Sequence, residues 1–217
     1  MSKIAQIRRK IIREIFDYQV LLEALSSYRK PRDKITRLLA DGDIVRVKKG
    51  LYCFGEAFRR EPVNREYLAN LIYGPSYISL DYALSHHGLI PERVETVTSV
   101  TTRRSRAFDT PFGVFSYRIL TGPRYAVGAV LETAGRTSFL VASSEKALVD
   151  KVWTDKRFSG LYVGDYAAYL FDDLRIDQDT LDRLDHSRLQ VIAMAYDSAK
   201  INNLVRYLKR REDSSHA

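Results

Sequence analysis

The chain of 217 residues has one cysteine, one tryptophan, six prolines and 11 glycines. A single cysteine, Cys53, excludes an intramolecular disulfide and any zinc site built from several cysteines, and we expect it to be a small buried hydrophobe. No uncharged apolar run approaches the roughly 18 to 20 residues of a membrane helix. The basic N-terminal segment carries its charges through the apolar pattern, unlike a secretory signal. We therefore expect a cytoplasmic protein with no membrane partner.

The sequence also lacks the patterns of several catalytic sites. It has neither a glycine-rich phosphate loop nor a Gly-Lys-Ser/Thr tripeptide. His86 and His87 are adjacent, so on a helix they would point about 100° apart and could not share a ligand face. The aspartates between positions 172 and 185 lack the spacing of a calcium loop. We predict a protein that is not an enzyme, with no metal and no cofactor.

The net charge of +8 is concentrated at one end of the chain. Residues 1–60 hold 15 lysines and arginines against seven acidic residues, whereas residues 61–217 hold 20 of each kind. Such a distribution is typical of a protein whose N-terminal module approaches phosphates, although a solubilising surface would have the same composition. The length suits two domains, and 45% hydrophobic residues are enough for a folded core.

The apolar spacing near the N-terminus predicts three short helices. Isoleucines at helical spacing indicate a first helix over about 3–16. Asp17 can cap a second helix. Pro31 suits the first turn of a third helix and Gly42 suits its end.

An alternating stretch over residues 44–54 then predicts a β-hairpin. Lysine is unfavourable in the left-handed positions of a two-residue type I′ turn, so we predict a three-residue loop, Lys48-Lys49-Gly50. That loop would pair Val47 with Leu51 and Val45 with Cys53 on a buried face. Arg46 and Tyr52 would then point away from the core.

Three helices followed by a basic hairpin predict a winged helix-turn-helix in residues 1–58. In that fold the third helix enters the major groove of DNA and the hairpin follows the backbone or minor groove. Thr36 and Arg37 are the predicted base readers, with Asp33 as an i, i+4 partner of Arg37. The predicted DNA-binding residues are Arg29, Lys30, Arg32, Lys34, Thr36, Arg37, Arg46, Lys48 and Lys49. Two alternatives stay open, a protein-interaction module and a merely solvated basic face.

The predicted fold class is α+β, with a larger mixed domain in residues 59–217 whose C-terminal part is helical. Within it, alternation and turn residues predict several strands, including a hairpin that turns at Ala134-Gly135. Ser143 is a predicted N-cap for the helix that follows. The basic cluster Arg103, Arg104 and Arg106 lies between two predicted strands. It is either a functional patch or a solvated loop.

Three segments together give the chain a resemblance to a known family. They are DGDIVRVKKGLY (41–52), YISLDYALSHHGL (77–89) and VASSEKALVD (141–150). In this order they resemble the AbiEi antitoxins of AbiE-type, type IV toxin–antitoxin systems, and the similarity extends to about Trp153. The resemblance implies a bacterial or archaeal protein with two functions. It would repress its own promoter at inverted repeats in double-stranded DNA, and it would counter a nucleotidyltransferase toxin without necessarily binding it.

The family pattern assigns the DNA role to the helix and hairpin and transfers no catalytic residue. The matching positions are Arg32, Lys34, Thr36, Arg37, Arg46, Lys48 and Lys49. The arginine cluster at 103–106 is then a candidate antitoxin patch. Two other functions remain open, a one-component regulator whose second domain binds a small molecule, and a nuclease with a DNA-targeting domain.

Overall fold

A computed structural model describes residues 3–215, which form a mixed α+β fold with two β-sheets. Contacts divide the chain into two compact units. The first comprises the residues up to Leu68 together with Asp109–Gly113, and the second comprises Ala69–Phe108 and the chain from Val114 onward. The predicted boundary between residues 58 and 59 falls within the first unit. It stays a prediction.

The first unit combines three helices with a small antiparallel sheet in the order β1-β3-β2. Asp17 caps the second helix, its carboxylate accepting a hydrogen bond from the Val20 amide at 2.9 Å, as predicted. Pro31 begins the third helix, also as predicted. The elements are α1 (Lys3–Lys10), β1 (Ile15–Asp17), α2 (Tyr18–Ala24), α3 (Pro31–Ala40), β2 (Ile44–Lys48), β3 (Leu51–Phe54) and a 3-10 turn at Glu56–Phe58.

The second half of the predicted first helix is wrong, because Ile15 lies in a strand that pairs with Cys53 of β3. Arg8 explains where the helix stops. Its side chain is only 8% exposed, and its guanidinium donates to the carbonyls of Ile11 at 2.6 Å and Ile12 at 3.2 Å. These carbonyls belong to the segment after the helix end, so the arginine replaces the helical partners that they lack. Ile11 is buried although it lies beyond the end of α1, so the periodic spacing of buried isoleucines did not reveal where the helix ends.

The hairpin of β2 and β3 differs from its prediction in register. Val45 does pair with Cys53, but Lys48 rather than Val47 is the partner of Leu51. The connection is therefore the two residues Lys49 and Gly50, and the extra residue forms a bulge inside β2. β3 is the central strand of the sheet, and all of its residues are buried.

Tyr52 is the residue of β3 whose burial differs most from the prediction. It was predicted to face away from the core, yet it is 5% exposed and packs in the apolar cluster of the three helices. Cys53 is fully buried, as predicted, and burial raises the pKa of its thiol to about 11.

The second unit is built on a six-stranded mixed sheet in the order β6-β7-β5-β4-β9-β8. The pairs β4 with β9 and β5 with β7 are parallel, and β8 with β9 is the predicted hairpin, with Gly135 in its turn at φ +59°. Residues 109–113, which include the turn between β6 and β7, group with the first unit. The strands are β4 (Ser76–Ile78), β5 (Val97–Thr101), β6 (Arg106–Thr110), β7 (Gly113–Ile119), β8 (Ala129–Ala134) and β9 (Thr137–Ala142).

Helices cover this sheet and make up the C-terminal part, as predicted. Ser143 caps α7, its hydroxyl accepting from the Lys146 amide at 3.3 Å. No helix among residues 3–215 combines the length and the apolar character needed to cross a membrane. The helices are α4 (Arg65–Ile72), α5 (Leu80–His86), α6 (Pro123–Ala126), α7 (Ser144–Thr154), α8 (Asp165–Ala168), a π-helical turn at Tyr169–Asp173, α9 (Gln178–Asp182), α10 (His186–Tyr196) and α11 (Ala199–Ser215).

Candidate nucleic-acid interface

Helix α3 presents the predicted DNA-binding residues on one side and anchors itself by the other. Ile35 and Leu38 are 5% and 0% exposed, respectively, and belong to the core of the first unit. Arg32, Thr36 and Arg37 are exposed, and Lys34 is half-buried. The apolar stripe thus fixes the helix, and the residues opposite it can approach a ligand.

The expected Asp33–Arg37 ion pair is absent from the described part of the chain. Thr36 instead turns toward its own helix, its hydroxyl donating to the Arg32 carbonyl at 3.2 Å. The hydroxyl oxygen keeps its lone pairs for an outside donor. Among residues 3–215 no acidic side chain pairs with Arg37, so its guanidinium can reorient onto a base edge or a phosphate.

The tip of the β2–β3 hairpin presents basic side chains from a fixed turn. Gly50 has φ +85°, a conformation that residues with a Cβ rarely adopt, and its carbonyl accepts from the Tyr18 amide at 3.0 Å. Lys49 is exposed and Lys48 is half-buried. Arg46 is exposed on the same strand, with its guanidinium 5.9 Å from the centre of the Tyr52 ring. Helix α3 packs against β2, so helix and hairpin are neighbours.

A shallow groove of about 430 Å³ lies at the N-terminus of α3. The positive end of the helix dipole and backbone amides point into such a place, which suits a phosphate group. Asp33 is an acidic residue of the first turn and would repel an anion, so a phosphate would lie nearer the basic residues. Arg29 precedes the groove and is exposed. The groove is lined by Leu22, Lys30, Pro31, Arg32 and Asp33.

The predicted arginine patch of the second unit lies where the sequence placed it, at the β5–β6 connection. Arg103, Arg104 and Arg106 are all exposed. Arg103 lies 5.7 Å from the centre of the Tyr73 ring, and Arg106 lies 5.0 Å from that of Phe108. Both arginines therefore rest on aromatic faces, which limits their freedom while leaving their charge in solvent.

A buried polar cluster around Asp150 was not predicted. Asp150 and Lys146, both fully buried, form an ion pair of 2.8 Å within α7. The carboxylate also accepts from the Ser79 hydroxyl at 2.6 Å, from the Tyr77 hydroxyl at 3.3 Å and from the Tyr196 hydroxyl. Burial, and next the charge of Asp150, raises the pKa of Tyr77 and Tyr196, so both phenols stay protonated and donate. The only sequence signal was the i, i+4 spacing of the ion pair, which is equally typical of a surface helix.

Glu145, next to this cluster, is also buried and paired. Burial opposes its ionisation, but a hydrogen bond from the Ser143 hydroxyl at 2.7 Å and another from the Asp185 amide at 3.1 Å hold the pKa of Glu145 below its ordinary value. Arg188 lies 3.5 Å away. These polar groups are enclosed and satisfied by one another, as expected of groups that hold a fold together.

The prediction that His86 and His87 cannot share a ligand face is wrong. Helix α5 ends at His86, and the backbone of His87 has φ −86° and ψ 1°. The 100° rule holds only within a helix, and beyond its end the two ring centroids lie 5.1 Å apart. Glu132 of β8 joins them, and one nitrogen or oxygen atom of each residue lies within 4.8 Å of the others.

No family model and no curated protein matches the chain. Among solved structures, the chain is similar to the crystal structure of the Rv2827c protein from Mycobacterium tuberculosis. The two share 19% sequence identity with a TM-score of 0.51, over 94% of this chain and 79% of that chain. At this identity the likeness shows the fold alone.

Proposed function

We propose that the first unit is a winged helix-turn-helix that binds double-stranded DNA, and that the protein represses its own promoter. The observation that carries the proposal is the division of α3 into a buried face and an exposed basic face beside a basic hairpin. Ile35 and Leu38 are buried while Arg32 and Arg37 are exposed. The element order, with β1 completing a three-stranded sheet, is also that of winged helices.

The two parts of this surface would contribute differently. Arg37 and Thr36 would read base edges, because they are exposed opposite the anchoring stripe of α3. The basic residues at the helix start and on the hairpin would neutralise phosphates. If all of these phosphate contacts form, the logarithm of the affinity should fall with the logarithm of salt concentration with a slope of roughly −6.

The resemblance to AbiEi antitoxins extends the proposal to the second unit. We propose that it opposes a nucleotidyltransferase toxin encoded beside this gene, and that the patch Arg103, Arg104 and Arg106 takes part. The supporting observation is that two of these exposed arginines, Arg103 and Arg106, rest on the rings of Tyr73 and Phe108. Such a fixed, strongly basic surface suits an acidic partner.

Two triple variants separate these roles because each removes three positive charges. One replaces Arg37, Lys48 and Lys49 with alanine, and the other replaces Arg103, Arg104 and Arg106. Fluorescence anisotropy with the promoter DNA should show that the first variant loses at least about 100-fold in affinity, because three phosphate or base contacts are removed. The second variant should lose about threefold or less. A loss of equal size in both variants would mean that net charge, not the helix and hairpin, binds DNA. No salt-dependent binding by the native protein would exclude the proposal.

The proposed antitoxin role is tested with the same two variants in cells that express the neighbouring nucleotidyltransferase. We expect the native chain and the helix-hairpin variant to restore growth, and the 103–106 variant to fail. Circular dichroism of both purified variants should match the native protein, because none of the six substituted residues is buried: five are exposed and Lys48 is half-buried. Growth restored by the 103–106 variant would remove the patch from the proposal, and growth that the native chain does not restore would remove the antitoxin role.

A further inference from the structure

We infer that His86, His87 and Glu132 form a binding site for a zinc ion. Their ligand atoms lie within 4.8 Å of one another, and the His86 Nε2 lies 2.8 Å from the Glu132 carboxylate. Zinc bonds of about 2.0 Å place two tetrahedral ligand atoms roughly 3.3 Å apart. Small rotations of the side chains would bring the three atoms to that spacing.

The second nitrogen of His87 supports this assignment. The His87 Nε2 lies 2.7 Å from the carbonyl oxygen of Ala142. A carbonyl only accepts hydrogen bonds, so Nε2 carries the proton and Nδ1 keeps a lone pair. Histidine ligands of metals are commonly oriented in this way, with one ring nitrogen donating to a backbone carbonyl while the other binds the ion.

The chemistry of the three residues favours a transition-metal ion such as zinc over magnesium or calcium. Two imidazoles with one carboxylate are ligands that zinc accepts, whereas magnesium and calcium prefer oxygen atoms. The side chains of His86 and Glu132 are 31% and 34% exposed, so solvent can supply a fourth ligand. Three protein ligands and one open position suit zinc that binds a water molecule or an anion.

The site would also join two elements of the second unit. His86 and His87 lie at the C-terminus of α5, and Glu132 lies on β8, the edge strand of the six-stranded sheet. The edge hairpin would then be tied to a helix by the metal as well as by packing. We therefore expect zinc to stabilise the folded state, since a ligand that binds only this state shifts unfolding to higher temperature.

The test uses tag-free full-length protein, stripped of metal by a chelator and titrated with zinc in a calorimeter. We expect one zinc ion per chain and no heat from magnesium at millimolar concentration. His86→Asn, His87→Asn and Glu132→Gln should each weaken zinc binding at least about 10-fold.

His186→Asn is the matched control. His186 also lies beside a glutamate, with its Nδ1 3.4 Å from Glu212, but no third ligand joins them within the described residues. Its substitution should leave zinc binding and the zinc-induced rise in melting temperature unchanged. The inference is overturned if the native protein takes up no zinc, or if the three site variants bind it as tightly as the control.

Discussion

Replacing Asp150 with asparagine should make the stability of this protein depend strongly on pH. The substitution keeps the size of the side chain and removes its charge, so no cavity forms. Lys146 is then a fully buried ammonium group without an anion. It keeps two uncharged partners, the Arg124 carbonyl at 2.6 Å and the Tyr196 hydroxyl at 2.5 Å. Breaking a buried ion pair in this way costs about 3 to 5 kcal/mol, a large part of the roughly 5 to 15 kcal/mol that stabilises a typical domain.

The sign of the pH effect follows from the lysine. In the native protein, burial lowers the pKa of Lys146 and the charge of Asp150 opposes that shift. Without this charge the pKa falls further below the unfolded value of about 10.4. At neutral pH a larger fraction of Lys146 is then protonated in the unfolded chain than in the folded chain. Stability therefore rises as pH increases toward about 10, by at most about 1.4 kcal/mol per pH unit.

Urea unfolding followed by circular dichroism would measure both effects, at about pH 6, 7, 8 and 9. The quantity to compare is the difference in unfolding free energy between the variant and the native protein, which should shrink as pH rises. The double variant Lys146→Met with Asp150→Leu removes both charges, so it should be more stable than the single variant at pH 7 and should lack its pH dependence. A single variant within about 1 kcal/mol of the native protein at every pH would refute the reasoning.

Two further predictions concern the first unit. Arg8→Met should lower the unfolding free energy by about 2 to 4 kcal/mol. The substitution leaves Glu14 and the carbonyls of Ile11 and Ile12 without their buried donor. The same change at the exposed neighbour Arg9 should lower it by about 0.5 kcal/mol or less. Equal losses in urea unfolding would contradict the assigned role of Arg8. Cys53 should react with a thiol-specific disulfide reagent at least about 100-fold faster in urea than in the native protein, because its buried thiol has a pKa of about 11; equal rates would show that β3 is accessible.

The parts of the fold that the sequence predicts are those decided by neighbouring residues. Asp17 and Ser143 cap their helices because a short polar side chain reaches an amide three residues later. Gly135 occupies the left-handed position of its turn for an equally local reason. These features need no knowledge of the remainder of the chain.

The features that were missed depend on partners distant in sequence. Ile15 becomes a strand residue only because Cys53 pairs with it. Tyr52 is buried because its side chain packs in the apolar cluster of the first unit, which nothing in its own alternating pattern reveals. For the same reason, the i, i+4 spacing of Lys146 and Asp150 indicates a surface ion pair in the sequence, whereas both side chains are buried in the structure.

The buried cluster changes what the resemblance to AbiEi antitoxins can support. Tyr77 and Ser79 belong to segment 77–89, Lys146 and Asp150 belong to segment 141–150, and they bond to one another. Two of the three resembling segments thus meet in enclosed hydrogen bonds, where residue identity is required for folding whatever the protein binds. Of the three segments, only segment 41–52 presents exposed lysine and arginine side chains. The proposed function therefore depends on the hairpin and α3, and a failure of the helix-hairpin variant to lose DNA binding would remove that function while leaving the structural role of the buried cluster unchanged.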